Sequence, residues 1–324
     1  MKLTITFLSL LLISSSVFAG GDSGLQDLMN QRLALKAQLV PGMSQADAAK
    51  IKIQITALRY QEAQLGEQLS GNQTRGLNDK SPSAFTEGQN IILNPTENSV
   101  TFQSGDLLVV RGQSIISTII ANVADTPSQF SHSFLIYKDP SDGVMYAVEA
   151  LMDKGVIVHP FQEVLDEGMA HLVLFRYQDP VLANAAAKYD YDRAKAAIAS
   201  GKPLQYANSL LLTNYDRVTC AEECREGFDI MSNGAVKLPM FESTIGAKFP
   251  NLMKSLGLPP MVIPVQWPYD FDSDPRLKEI AESRDFERTF ISRSRDQVVL
   301  SLLTWLEQGV VGQDFSKYVA HLKA

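Results

Sequence analysis

The run Thr219-Cys220-Ala221-Glu222 places one of the two cysteines of this chain where a helix would begin. A threonine that accepts from the N3 amide, with a glutamate at N3 reaching back to the cap amide, forms a capping box, so Cys220 is expected as the first helical residue. A thiol there feels the positive end of the helix dipole, which favours thiolate and can bring a pKa of about 8.5 toward neutrality. The free amides of the same helix start are donors for an oxyanion. This is the chemistry of a cysteine nucleophile. Two plainer readings stand beside it: an inert buried thiol, and a disulfide between Cys220 and Cys224. Helical residues four apart hold their Cβ atoms about 5–6 Å apart, whereas a disulfide needs about 3.5–4.5 Å, which argues against the bridge.

A cysteine nucleophile needs a base, and His132 is the candidate. In Phe130-Ser131-His132-Ser133-Phe134-Leu135-Ile136, period-two alternation puts the imidazole on the face of Phe130, Phe134 and Ile136. A histidine among apolar neighbours needs a partner. Glu149 interrupts the apolar set Met145, Ala147 and Leu151 in the same way on the next strand. A carboxylate bonded to one imidazole nitrogen would fix the tautomer and leave the other for the thiol, giving a nucleophile, a base and an orienting group. The plainer readings are a core histidine bonded to main chain and an edge glutamate facing water. His159, His171 and His321 are expected at the surface; Tyr206 reads as a packed tyrosine, with a cleft-lining side chain as the alternative.

The elements that must position these residues can be read from periodicity. Leu25–Val40 and Ser44–Leu69 carry helical patterns broken by Pro41-Gly42, a helical hairpin spanning residues 20–70. Residues 71–98, rich in Gly, Asn, Ser and Pro, read as a linker. Strands are expected at Asp106–Val110, Gln129–Tyr137, Val144–Leu151, Val156–Val158 and His171–Tyr177, with a short helix at Gln113–Val123. Helices follow at Pro180–Ser200, Thr219–Met231 and Asp285–Glu307. Sequential strands with short connections, then helices, predict an α+β fold with a mostly antiparallel sheet. The main domain is expected over residues 99–275 and a helical segment over 276–324.

Composition narrows the function. Residues 1–19 read as a cleavable signal peptide, with Lys2, an apolar Leu3–Ile13 run and Val17-Phe18-Ala19 before the cut, which predicts a periplasmic or secreted protein. No later segment suits a transmembrane helix. The net charge of −7, without a dense basic run, makes nucleic acid a poor partner. Two cysteines and four scattered histidines are a poor basis for a metal site, and no cofactor is expected.

Gly105-Asp106 opening a strand, Ser131-His132 on a strand, Glu149-Ala150 after a turn and Cys220-Ala221-Glu222 opening a helix occur here in that order. This arrangement resembles the YaeF/YiiX group of circularly permuted NlpC/P60 enzymes, which are papain-like, over about Phe102 to Asp274. The resemblance implies Cys220 as nucleophile, His132 as base and Glu149 as the third polar member. It departs where the group commonly has Cys-Ser-Glu and where an aspartate often follows the tyrosine, a position held here by Ala207. The expectation is an exported cysteine hydrolase forming an acyl-enzyme on Cys220, acting on an amide bond such as that of a cell-wall peptide. The alternatives are a lipid ester or thioester hydrolase on the same fold, and a catalytically silent binding or scaffold protein whose helical hairpin mediates self-association or recruits a partner.

Overall fold

The computed structural model describes residues 21–40, 42–70, 91–93, 101–124, 128–207, 216–243, 245–255 and 263–310. The expected signal peptide, His321 and most of the expected linker lie outside the described residues. The chain runs α1 (Gly21–Lys36), α2 (Gln45–Ser70), β1 (Ile91–Leu93), β2 (Leu107–Arg111), α3 (Ile115–Val123), β3 (His132–Lys138), β4 (Met145–Leu151), β5 (Gly155–Pro160), α4 (Phe161–Glu167), β6 (His171–Tyr177) and α5 (Pro180–Ala199). It continues through β7 (Gln205–Tyr206), β8 (Arg217–Val218), α6 (Cys220–Met231), β9 (Phe241–Ser243), α7 (Ile245–Lys248), α8 (Pro250–Ser255), β10 (Ile263–Val265), a 3-10 turn at Pro268–Ser273, β11 (Leu277–Arg284) and α9 (Phe286–Glu307).

Seven strands form one antiparallel sheet in the order β1-β11-β6-β2-β3-β4-β5. The central strand β2 reads Leu-Leu-Val-Val because both of its faces are covered. Leu107 and Val109 point into the larger core, shared with α5 and α6, while Leu108 and Val110 join Phe134, Ile136 and Phe161 of α4 on the other face. Phe130 departs from expectation. It packs in the larger core and not beside Phe134, since regular pairing of β3 with β2 begins only at His132 and alternation does not extend upstream of it.

Two further departures concern the C-terminal region and the linker. Residues 276–324 were expected to be helical, yet Leu277–Arg284 is a strand inside the sheet. Its pattern hides it: a bulge between Glu279 and Ala281 breaks period two. The extra residue puts Leu277, Glu279, Glu282 and Arg284 on one face opposite Tyr177, Phe175, Val173 and His171, so the strand alternates charges where a buried strand would show apolar residues. Residues 91–93 of the expected linker add the edge strand β1 against β11.

Those charges are the seat of the α1–α2 hairpin. Arg32 of α1 donates to Glu62 at 3.0 Å, Glu279 at 2.7 Å and Glu282 at 2.5 Å. Arg59 of α2 donates to Asp272 at 2.6 Å, Glu282 at 2.8 Å and Glu279 at 3.1 Å. Arg284 pairs with both Glu62 and Glu282, and Lys36 reaches Asp272 at 3.0 Å. Arg32, Arg59, Arg284 and Lys36 thus balance Glu62, Glu279, Glu282 and Asp272, the condition under which so many buried charges are tolerated. His171, expected at the surface, is buried inside this cluster and bonds Glu282 at 2.5 Å. Burial first, then the charges of Arg284 and Arg59, push it down to about 3 and keep it neutral. The hairpin is therefore seated through its charged inner face within its own chain.

Candidate functional site

Helix α6 begins as its sequence dictates. The Thr219 hydroxyl accepts from the Glu222 amide at 3.3 Å, and Glu222 accepts from the Thr219 amide at 2.9 Å, closing the capping box. Cys220 is then the first helical residue. Both cysteines are free and buried. Cys224 points into the protein, its thiol 3.3 Å from the Cys220 carbonyl, and burial first, then nearby Glu223 and Asp190, hold its pKa well above the usual range. The helix packs against α5 closely enough that a Cβ on Gly227 would stand 2.5 Å from the Asp190 carboxylate. Asp190 and Glu223 are buried at this seam with no hydrogen-bond partner among the described residues, and burial holds both carboxyls well above the usual carboxylate range.

Cys220 lines a cleft of about 600 Å3 together with His132, Glu149, His159 and Tyr206. His132, at the first position of β3, sits where the strand emerges beside the start of α6. Its Nε2 lies 3.0 Å from Glu149 Oε1, leaving the other ring nitrogen for the thiol. Burial alone would lower the imidazole pKa, but the electrostatic interaction and hydrogen bond with Cys220, joined by those with Glu149, raise it to about 10. Glu149 shows the mirror effect: burial pulls it up, while hydrogen bonds from His132 and His159 bring it down to about 2. The three residues singled out from sequence therefore meet in the lining of one cleft.

Two further side chains belong to the site. His159 was expected at the surface but is largely covered, and its Nε2 is 2.6 Å from Glu149 Oε2. The signal was available in the alternation of β4 and β5. Their register pairs Ala147 with His159 and Glu149 with Ile157, so Glu149 and His159 are diagonal neighbours on one face. Tyr206 lies beside Cys220 because β7 and β8 run parallel and β8 leads directly into Thr219. Burial, then the charges of Cys220 and Glu222 and a hydrogen bond to the Cys220 side chain, hold the Tyr206 phenol well above its usual range. Fourteen residues separate it from Cys220 in sequence, and nothing local marks the pairing.

Ile116 and Ile120 of α3 line the cleft together with Leu151, Met152 and Ile157, and Asp153, Glu163 and Glu167 bring carboxylates to the lining. Among the described residues no group of three or more His, Cys, Asp or Glu could hold a metal ion, and both oxygens of Glu149 are engaged by histidines.

No family model matches the chain, and no curated protein matches it. Among solved structures it is similar to the crystal structure of the metalloprotein YiiX from Escherichia coli O157:H7, a protein of the DUF1105 group. The identity is 16%, the TM-score is 0.44, and the match covers 56% of this chain and 98% of that one. The fold itself is mixed helix and antiparallel sheet, and no helix among the described residues is long and apolar enough to cross a membrane.

Proposed function

We propose that this chain is an exported cysteine hydrolase with a circularly permuted papain-like core. The observation that carries the reading is the chain of contacts from Cys220 to His132 to Glu149 in the lining of one cleft. Glu149 stabilises His132 as imidazolium, and imidazolium stabilises thiolate at the start of α6, where the helix dipole adds to the effect. The thiolate attacks an acyl carbon, and its oxygen, becoming negative, is met by donors at the helix start and by the Tyr206 hydroxyl. His132 gives its proton to the leaving group as the tetrahedral species collapses to an acyl-enzyme. It then takes a proton from water, which attacks the thioester, releases the acid and restores the pair.

The bond proposed is an amide, such as that of a cell-wall peptide. The apolar side chains of Ile116, Ile120, Leu151 and Met152 in the lining favour a second substrate class, a lipid ester or thioester, on the same machinery. The test is turnover of cell-wall peptide and acyl-ester panels by the parent and by Cys220→Ala. Loss of turnover in the variant supports the mechanism, and equal turnover removes it. The panel that is cleaved decides between the two substrate classes.

A further inference from the structure

We propose that His159 is a positioning residue of this site, acting on the Cys220–His132 pair through Glu149. The inference rests on the reading of Cys220 as nucleophile. A carboxylate held by one hydrogen bond can still turn about its last single bond, and with it the imidazole that it orients. Glu149 is held at both oxygens: Oε1 by His132 at 3.0 Å and Oε2 by His159 at 2.6 Å. The second bond fixes the carboxylate plane, and through it the ring of His132.

The carboxylates around His159 favour its protonated form. From β4 it faces Glu149, and from α4 it faces Glu163 and Glu167. Its Nδ1 is 3.6 Å from Glu163 Oε2, so both ring nitrogens look onto carboxylates. Lys154, in the turn between β4 and β5, lines the same cleft. The hydrogen bond to Glu149 is the first cause raising its pKa above the ordinary histidine value, against a smaller opposing effect of burial. The His159 side chain keeps 17% of its surface exposed at the cleft, so it exchanges protons with solvent. A charged His159 competes with His132 for the charge of Glu149. A neutral His159 still donates through Nε2–H but no longer competes. The reactivity of Cys220 therefore carries a step set by His159.

The experiment is the rate of Cys220 alkylation by iodoacetamide between pH 5 and 10, read by peptide mass spectrometry on the full chain. It compares the parent, His159→Ala, His159→Gln and His132→Ala. In His159→Ala the rate at neutral pH should fall about tenfold, as for the loss of one hydrogen bond to a charged group. In His159→Gln, whose amide donates the same bond without a titratable charge, the rate should return to within about threefold of the parent. Both variants should lack the inflection that the parent shows above pH ~6.5. Parent-like rates and the same inflection in both His159 variants, with His132→Ala still slowed, overturn this inference and leave the nucleophile standing. A Cys220 that is unreactive in the parent removes the underlying reading, and the inference with it.

Discussion

Glu149 Oε1 lies 3.0 Å from His132 Nε2, although the two residues come from different strands and each interrupts an apolar face of its own. A buried charge is tolerated only with a partner, and here each residue partners the other, with Cys220 beside His132 and His159 on the second oxygen of Glu149.

The pair has opposite pH signatures. The Glu149 pKa is depressed from 4.5 to about 2, so its contribution to stability is present above pH ~4.5 and is lost as pH falls through about 2. His132 is raised from 6.5 to about 10, so its contribution is full below pH ~6.5 and is lost as pH rises through about 10. Urea midpoints should therefore show the gap between parent and Glu149→Gln closing on the acid side, and the gap between parent and His132→Gln closing on the alkaline side. Constant gaps across both ranges would contradict the pairing.

Removing the cap should weaken helix and site together. Thr219→Ala leaves the Glu222 amide without its acceptor and should cost about 1 kcal/mol by urea denaturation. It should also slow Cys220 alkylation, whereas Thr219→Ser, which keeps the hydroxyl, should restore both readouts.

The hairpin should be part of the cooperative fold. Arg32→Ala leaves Glu62, Glu279 and Glu282 short of a cation in a buried cluster and should cost about 3–5 kcal/mol. Because the cluster is shielded from solvent, the loss should be nearly the same in low and high salt. Fluorescence of Trp267, buried beside the 3-10 turn that carries Asp270 and Asp272, would follow it. A separate early transition for the hairpin would refute the coupling.

Gly155 ties the cleft to Tyr206. Its φ is +74°, and a Cβ there would meet the Leu204 carbonyl at 2.1 Å, on the strand connection that leads to Tyr206. Gly155→Ala should destabilise by more than about 1 kcal/mol and displace Tyr206 from Cys220. Thermal denaturation and the Cys220 alkylation rate should both register the change.

The seam between α5 and α6 should respond to charge removal. Asp190 and Glu223 are buried without hydrogen-bond partners among the described residues, and their raised pKa values mean that the folded protein binds protons the unfolded chain releases. Stability should then fall as pH rises through and above the ordinary carboxylate range. Asp190→Asn should stabilise the protein at neutral pH and lose that advantage in acid. An Asn variant less stable than the parent at neutral pH would show that the charge is needed.

The sequence by itself determined what local rules govern. The capping box at Thr219–Glu222 follows from four residues, and the helices that begin near Pro180 and Asp285 from periodicity. The strands of His132 and Glu149 were legible because a single polar residue on an apolar period-two face stands out. The tertiary structure alone decided what depends on distant partners. His171 and Arg284 are buried because a hairpin more than a hundred residues upstream covers them, and no local pattern announces that cover. The strand Leu277–Arg284 escaped because its bulge breaks the alternation and its buried face carries charges matched by Arg32 and Arg59. His159 and Tyr206 reach the cleft through strand register and parallel pairing, which are set by how the sheet closes and not by the residues on either side of them.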